Sequence, residues 1–239
     1  DALPICEEKK KVLQVLGEIA LKGLASGKLI IPRALVQAVL EQTSVSELQL
    51  LRTGLLRASG EGAAREYCFL HLTFQEYAIA YAAVQKSPAE QKEFILYCRS
   101  KPQFQLVLAL MAGLIDSRDS SPAKETLQHF FRSLHTPPGD LAGFYQMALA
   151  FRCLKQCAPS SIQNWMEQEY RIYSAWLELL SPTVEKGIAE WAVRLLLDEI
   201  DLPEKFLLPT MLGLIKIKRA TWEALEKIST TASAEYHPT

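Results

Sequence analysis

The chain has 239 residues, 49% of them hydrophobic, which is enough to build one large domain or two small ones. Its 26 basic and 27 acidic residues leave a net charge of −1, and the longest basic run is residues 9–11. This balance argues against a nucleic-acid-binding surface. No apolar stretch approaches the roughly 18 residues of a membrane span, and the run at 107–115 is too short.

The cysteine pattern predicts an intracellular, cytoplasmic protein. The five cysteines form no Cys-x-x-Cys pair and lie in mostly apolar surroundings, which favours reduced thiols: Cys6, Cys68, Cys98, Cys153 and Cys157. The last two are four residues apart and can share a helix face, but a metal site needs more ligands, so we expect buried core thiols and no metal. The opening residues 1–4 do not form a signal peptide and suit a fragment of a longer protein.

The first 66 residues alternate between helical and extended patterns. Apolar spacing predicts helices over residues 7 to about 25 and 33–42, with a short strand at 28–31 between them. Ser46 and Gln49 fit a capping box that opens a third helix, ending near Thr53. Two apolar runs, 55–58 and 66–70, flank a Gly-rich turn and predict a β-hairpin.

The most informative stretch follows the hairpin. Thr73 and Glu76 fit a second capping box, with a hydrophobic staple between Leu72 and Tyr77. The helix that begins there is predicted to bury the side chains that recur at helical spacing, namely Phe74, Tyr77, Ala78 and Tyr81. His71 then lies at the joint between strand and helix. The unpaired N–H groups and dipole of a helix N-terminus favour an anion there.

Strand signals almost vanish beyond residue 86. Ser-Pro pairs and capping boxes predict helices near 88–99, 103–115, 122–134, 140–157, 161–179, 183–199, 203–217 and 219–230. Their short connections favour antiparallel neighbours, and their uneven spacing predicts an irregular, partly HEAT-like array. Residues 231–239 are expected to fray.

One motif resembles a known family. One stretch is similar to the FxHxTFQEF/Y signature of NACHT-type nucleotide-binding proteins: Phe69-Leu70-His71-Leu72-Thr73-Phe74-Gln75-Glu76-Tyr77. These proteins include the NOD-like receptors of innate immune signalling. Shorter likenesses lie at residues 16–20, 27–30, 53–56 and 107–114. The resemblance implies a mainly α fold, with a NACHT-type winged-helix domain and small β-wing at 1–85 and a helical array at 86–230. It also implies that His71 contacts the β-phosphate of ADP, held with magnesium by a nucleotide-binding domain of the same parent protein.

The chain itself is not expected to be an enzyme. It contains no G-x-x-x-x-G-K-[ST] loop to cradle a triphosphate, no acidic cluster for magnesium and no nucleophile elbow. His71 has two interpretations. Either the imidazole is hydrogen-bonded to backbone groups inside the strand–helix corner, or it donates a hydrogen bond to a phosphate oxygen, as the resemblance implies.

Two functions remain open. In the first, the chain is the regulatory part of a NACHT switch, with the winged helix closing on ADP in the nucleotide domain and the helical array relaying or sensing. In the second, it is a helical scaffold that binds a protein partner and has no nucleotide role. A phosphate-binding loop upstream in the parent gene would favour the first.

Overall fold

A computed structural model describes residues 7–118, 121–138, 144–158, 160–162 and 164–165. The chain divides into two compact units, residues 1–161 and 162–239, and the description below concerns the first. Cys6, most of the helix predicted at 161–179, the helices predicted from 183 onward and the tail at 231–239 lie outside the described residues. The predicted boundary between residues 85 and 86 stays a prediction.

The described part is mainly helical, with a small three-stranded antiparallel sheet. The helices are α1 (Glu7–Ala25), α2 (Arg33–Leu40), α3 (Glu47–Arg52), α4 (Leu72–Val84), α5 (Pro88–Cys98), α6 (Gln105–Asp116), α7 (Ser121–Leu134) and α8 (Phe144–Lys155). The strands are β1 (Ile31–Pro32), β2 (Leu56–Ser59) and β3 (Glu66–Phe69). Each helix predicted between residues 7 and 157 has a counterpart with similar ends, although residues 140–143, the predicted start of the last one, lie outside the described residues.

The sheet has the order β1-β3-β2, so the last strand in sequence lies in the middle. The predicted hairpin is confirmed, with Leu56 opposite Phe69. The strand predicted at 28–31 was wrong in its bounds, since pairing begins only at Ile31, opposite Tyr67. Ile31 is fully buried and its side chain lies against Gly23 of α1, whereas the two residues before it are exposed.

Helices α1 and α4 pack closely and run antiparallel. A Cβ atom at Gly17 would overlap the carbonyl oxygen of Ala78 and the Cβ of Ala82. The backbones of α1 and α4 are therefore closer here than any residue other than glycine would allow. One turn further along, the Gln75 amide donates to the Ala20 carbonyl oxygen at 3.1 Å. The start of α4 is thereby tied to the C-terminal half of α1.

Two predicted helix caps are confirmed. Ser46 and Gln49 form a reciprocal capping box at α3, and Ser87 and Glu90 form another at α5, where Pro88 takes the first helical position. Each box satisfies N–H groups that a helix start leaves unpaired.

The later helices complete the unit. Helix α6 packs against α4 on one side and α8 on another, and α5 packs against α7. The core between them contains three fully buried phenylalanines, Phe104, Phe130 and Phe131. Within the residues that the structure describes, no helix combines the length and the apolarity needed to cross a membrane.

Candidate functional site at the start of helix α4

His71 occupies the two-residue joint between β3, which ends at Phe69, and α4, which begins at Leu72. Its backbone is extended, with φ −146° and ψ 144°. Its carbonyl oxygen accepts the first helical hydrogen bonds, from the N–H groups of Phe74 at 3.1 Å and Gln75 at 3.3 Å. These are the features of an N-cap residue, so His71 belongs to the helix start.

The imidazole ring caps the helix. Nδ1 of His71 accepts a hydrogen bond from the Thr73 N–H at 3.2 Å and lies 3.0 Å from Thr73 Oγ1. A ring nitrogen that accepts from a backbone N–H carries no proton, so in the neutral ring the proton is on Nε2. His71 is exposed, and Nε2 has no hydrogen-bond partner among the described residues. The hydrogen bond to Nδ1 therefore orients the ring and leaves Nε2 as its remaining donor.

The capping box predicted at Thr73 and Glu76 was wrong. Thr73 lies inside the first turn, because His71 supplies the acceptor two residues earlier and the helix begins at Leu72. The predicted staple fails with it, since Leu72 and Tyr77 are both exposed. Serine, threonine, aspartate and asparagine are the usual N-caps, so a pattern search passes over histidine.

The Glu76 side chain is buried, with 8% of its surface exposed, rather than reaching back to a cap. Burial raises the pKa of its carboxyl above the usual 4.5, and the nearby His71 ring acts in the opposite direction. No hydrogen bond satisfies this carboxyl within the described residues. A charge here is costly, because burial removes part of the hydration of the carboxylate.

The buried face predicted for α4 was also partly wrong. Ala78 is buried as expected, but Phe74 is 43% exposed and Tyr77 is 38% exposed, and Tyr81 is half-buried. The helix instead turns Gln75 and Ala78 toward α1. Its glycine-based contact with α1 favours small side chains, and this leaves the aromatic rings outside.

Sequence reasoning missed Gln75, whose amide joins α4 to α1. A polar residue in an otherwise apolar helical stretch is the signal that points to it. Gln75 lies one helical turn after His71, and its side chain is 2% exposed. Its hydrogen bond to α1 therefore anchors the start of α4 close to the histidine.

The prediction of buried core cysteines is confirmed for Cys98, Cys153 and Cys157, and burial raises the pKa of the Cys98 and Cys157 thiols to about 12. Cys68 is a half-buried free thiol on β3. In the described ranges, no group of three or more histidine, cysteine or acidic side chains is arranged to hold a metal ion.

A separate groove of about 550 Å³ lies between the first turns of α1 and the end of α3. Val12, Leu13 and Leu55 give it an apolar lining, and Gln49 donates to Glu8 at 2.8 Å along its edge. It lies at the opposite end of α1 from His71, because α1 and α4 are antiparallel. It contributes nothing to the histidine site.

No family model matches the chain, and no curated protein matches it significantly.

Proposed function

We propose that this chain is the regulatory portion of a NACHT-family signalling NTPase. In this proposal His71 donates a hydrogen bond from Nε2 to the β-phosphate of ADP, which is held with magnesium by a nucleotide-binding domain of the same protein. The chain performs no catalysis; it closes on the bound nucleotide and stabilises the inactive state.

The geometry of His71 is the observation that carries the proposal. Its Nδ1 accepts a hydrogen bond from the Thr73 N–H, so the remaining ring donor is Nε2, and His71 is an exposed residue. The ring stands at the N-terminus of a 13-residue helix, where the dipole favours an anion. The motif resemblance supplies the identity of that anion, a nucleotide phosphate.

The arrangement of the elements supports the same interpretation. A helix, a short strand, two helices and a hairpin follow one another from α1 to β3, which is the order expected of a winged helix with a small wing. Helices α5 to α8 then pack in alternating pairs, which supports an irregular helical array. Such an array can relay the position of the nucleotide-facing helix to a sensor or effector.

The expected energy suits a switch. A hydrogen bond to a charged acceptor contributes about 1.5–3 kcal/mol. Because about 1.4 kcal/mol changes an equilibrium tenfold, losing this bond would shift a closed–open equilibrium by about one to two orders of magnitude.

The test uses the protein encoded by the complete gene and two substitutions of one residue. His71→Ala removes both the phosphate donor and the helix cap, and it should lower the free energy of unfolding by about 0.5–2 kcal/mol. His71→Ser removes the imidazole donor and its longer reach but retains a cap acceptor, so it should melt close to the parent protein. Both should release a fluorescent ADP analogue about tenfold faster or more in a stopped-flow chase.

The matched pair separates the cap from the phosphate contact. If His71→Ser restores both stability and slow ADP release, His71 acts only as a cap and the nucleotide role fails. If the complete protein binds no nucleotide at all, the scaffold alternative takes its place.

A further inference from the structure

The groove between the first turns of α1 and the end of α3 has no part in the proposed function. Its volume of about 550 Å³ falls within the roughly 300–1,000 Å³ that small-molecule sites occupy. Such sites combine an apolar lining with a small number of polar or charged groups that select the ligand. The residues of this groove show both features.

The apolar lining consists of Val12 and Leu13 of α1 and Leu55, which follows α3. Val12 is buried, whereas Leu13 and Leu55 are half-buried, so part of their surface faces the groove and solvent. Covering this surface with an apolar group removes it from water, which is favourable. The occupant therefore needs an apolar body.

Two cationic side chains also line the groove, Lys9 of α1 and Arg52, the last residue of α3. Both are exposed, and neither side chain forms an ion pair or a hydrogen bond within the described part of the chain. The neighbouring Lys10, in contrast, pairs with Glu7 at 2.7 Å. Lys9 and Arg52 are therefore available to a ligand.

Glu8 is the acidic residue among the described lining residues, and it is held by its own hydrogen bond. Its carboxylate accepts from Gln49 Nε2 at 2.8 Å. The Gln49 Oε1 atom accepts from the Ser46 N–H at 2.7 Å, as part of the capping box of α3. Both ends of the Gln49 amide are thus engaged, which fixes the Glu8 carboxylate at the edge. One negative and two positive charges remain, and this excess favours an anion.

The same charges argue against larger occupants. A nucleic acid needs contacts from several cations along its backbone, and the groove offers two. A second copy docked through the same groove would place Lys9 and Arg52 against the same cations, because an isologous contact pairs identical patches.

We propose that this groove binds a small amphiphilic carboxylate, whose apolar body covers the apolar lining and whose carboxylate pairs with Arg52 and Lys9. The planar guanidinium of Arg52 matches a carboxylate with two parallel hydrogen bonds, and the Lys9 ammonium adds a second positive charge. This inference does not depend on the proposed function, because the groove lies at the opposite end of α1 from His71.

The experiment titrates the full chain with decanoate and with its uncharged counterpart decanamide, by isothermal titration calorimetry. Decanoate should bind about tenfold more tightly, because two exposed cations each add a modest attraction. The double variant Lys9→Gln/Arg52→Gln should weaken decanoate binding about tenfold and leave decanamide binding unchanged. Arg57→Gln/Lys92→Gln is the matched control, since it removes two exposed cations that do not line the groove, and it should bind decanoate like the parent.

The location of the site is checked by amide chemical-shift changes in the NMR spectrum, which should centre on residues 8–13 and 49–55. Leu13→Gln makes the lining polar and should weaken both probes. Because Lys9 and Arg52 are exposed, their double variant should melt like the parent, so its loss of binding reports the site and not the fold. The proposal is overturned if decanoate does not bind below its micelle concentration, if decanamide binds equally well, if Lys9→Gln/Arg52→Gln binds decanoate like the parent, or if the shift changes lie elsewhere.

Discussion

The two sides of α4 distribute their side chains in opposite ways. The side facing α1 is filled by Ala78, Ala82 and the Gln75 amide, and it meets Gly17 almost backbone to backbone. The outer side carries two large, exposed aromatic rings, Phe74 and Tyr77. Large apolar side chains normally occupy the core because burying each contributes about 1.5–3 kcal/mol. Their placement outside follows from the close crossing with α1, because only small side chains fit opposite Gly17.

The largest effect should come from breaking the inner side. Gly17→Ala would drive a Cβ into the Ala78 carbonyl oxygen and the Ala82 Cβ, so α1 and α4 would have to separate. Overpacking of this kind costs about 1–3 kcal/mol, although alanine is the better helix former in isolation. Urea unfolding of the chain measures the cost. Glu18→Ala, exposed on the same helix, is the control and should change the free energy of unfolding by less than about 0.5 kcal/mol. A stabilised Gly17→Ala protein would mean that the two helices do not pack as closely as described.

The starts of α4 and α5 show which helix caps a sequence pattern can predict and which it cannot. The Ser87 box at α5 was predictable because serine, proline and glutamate there serve only the helix start. The start of α4 was misassigned by two residues because a histidine nitrogen replaces the usual cap oxygen, and a local pattern search then settles on Thr73. The hairpin followed from local turn chemistry. The pairing of β1 with β3 and the inner side of α4 depend on contacts between residues far apart in sequence, and periodicity carries no information on these.

The sequence did locate His71 at the strand–helix joint, because that position needed only the ends of two neighbouring elements. It could not predict which neighbours would surround the ring. Spacing predicts that Phe74, Tyr77 and Ala78 share one helical side, but it does not distinguish the side that faces α1 from the side that faces out. Gly17 decides between them, since a glycine at the crossing favours alanine over an aromatic ring opposite it.

A second, pH-dependent effect should come from Glu76. Burial raises the pKa of this carboxyl, so between about pH 4.5 and the raised value the folded chain holds more protons than the unfolded chain. The free energy of unfolding therefore falls as pH rises through this interval, and the deficit persists above it. Glu76→Gln, which cannot ionise, should unfold at a higher temperature than the parent at pH 7 and at a similar temperature near pH 4.

Glu93→Gln on the exposed face of α5 is the control for this comparison, and it should change little at either pH. Thermal melts at both pH values measure the difference. Equal melting temperatures of Glu76→Gln and the parent at pH 7 would indicate that the Glu76 carboxylate is satisfied in the folded state.

The smallest effects are expected on the outer side of α4, and they sharpen the contrast with Gly17. Phe74→Ala removes a ring that is already 43% exposed, so it should cost well below the roughly 3–5 kcal/mol of a buried phenylalanine, and about 1 kcal/mol is expected. Thr73→Ala should cost less still, within about 0.5 kcal/mol, because the Thr73 N–H that His71 accepts belongs to the backbone and survives the substitution. Urea melts of the two variants beside Gly17→Ala give the ranking. A Phe74→Ala loss as large as that of a core phenylalanine would place its ring inside the domain and contradict the described exposure of the outer side of α4.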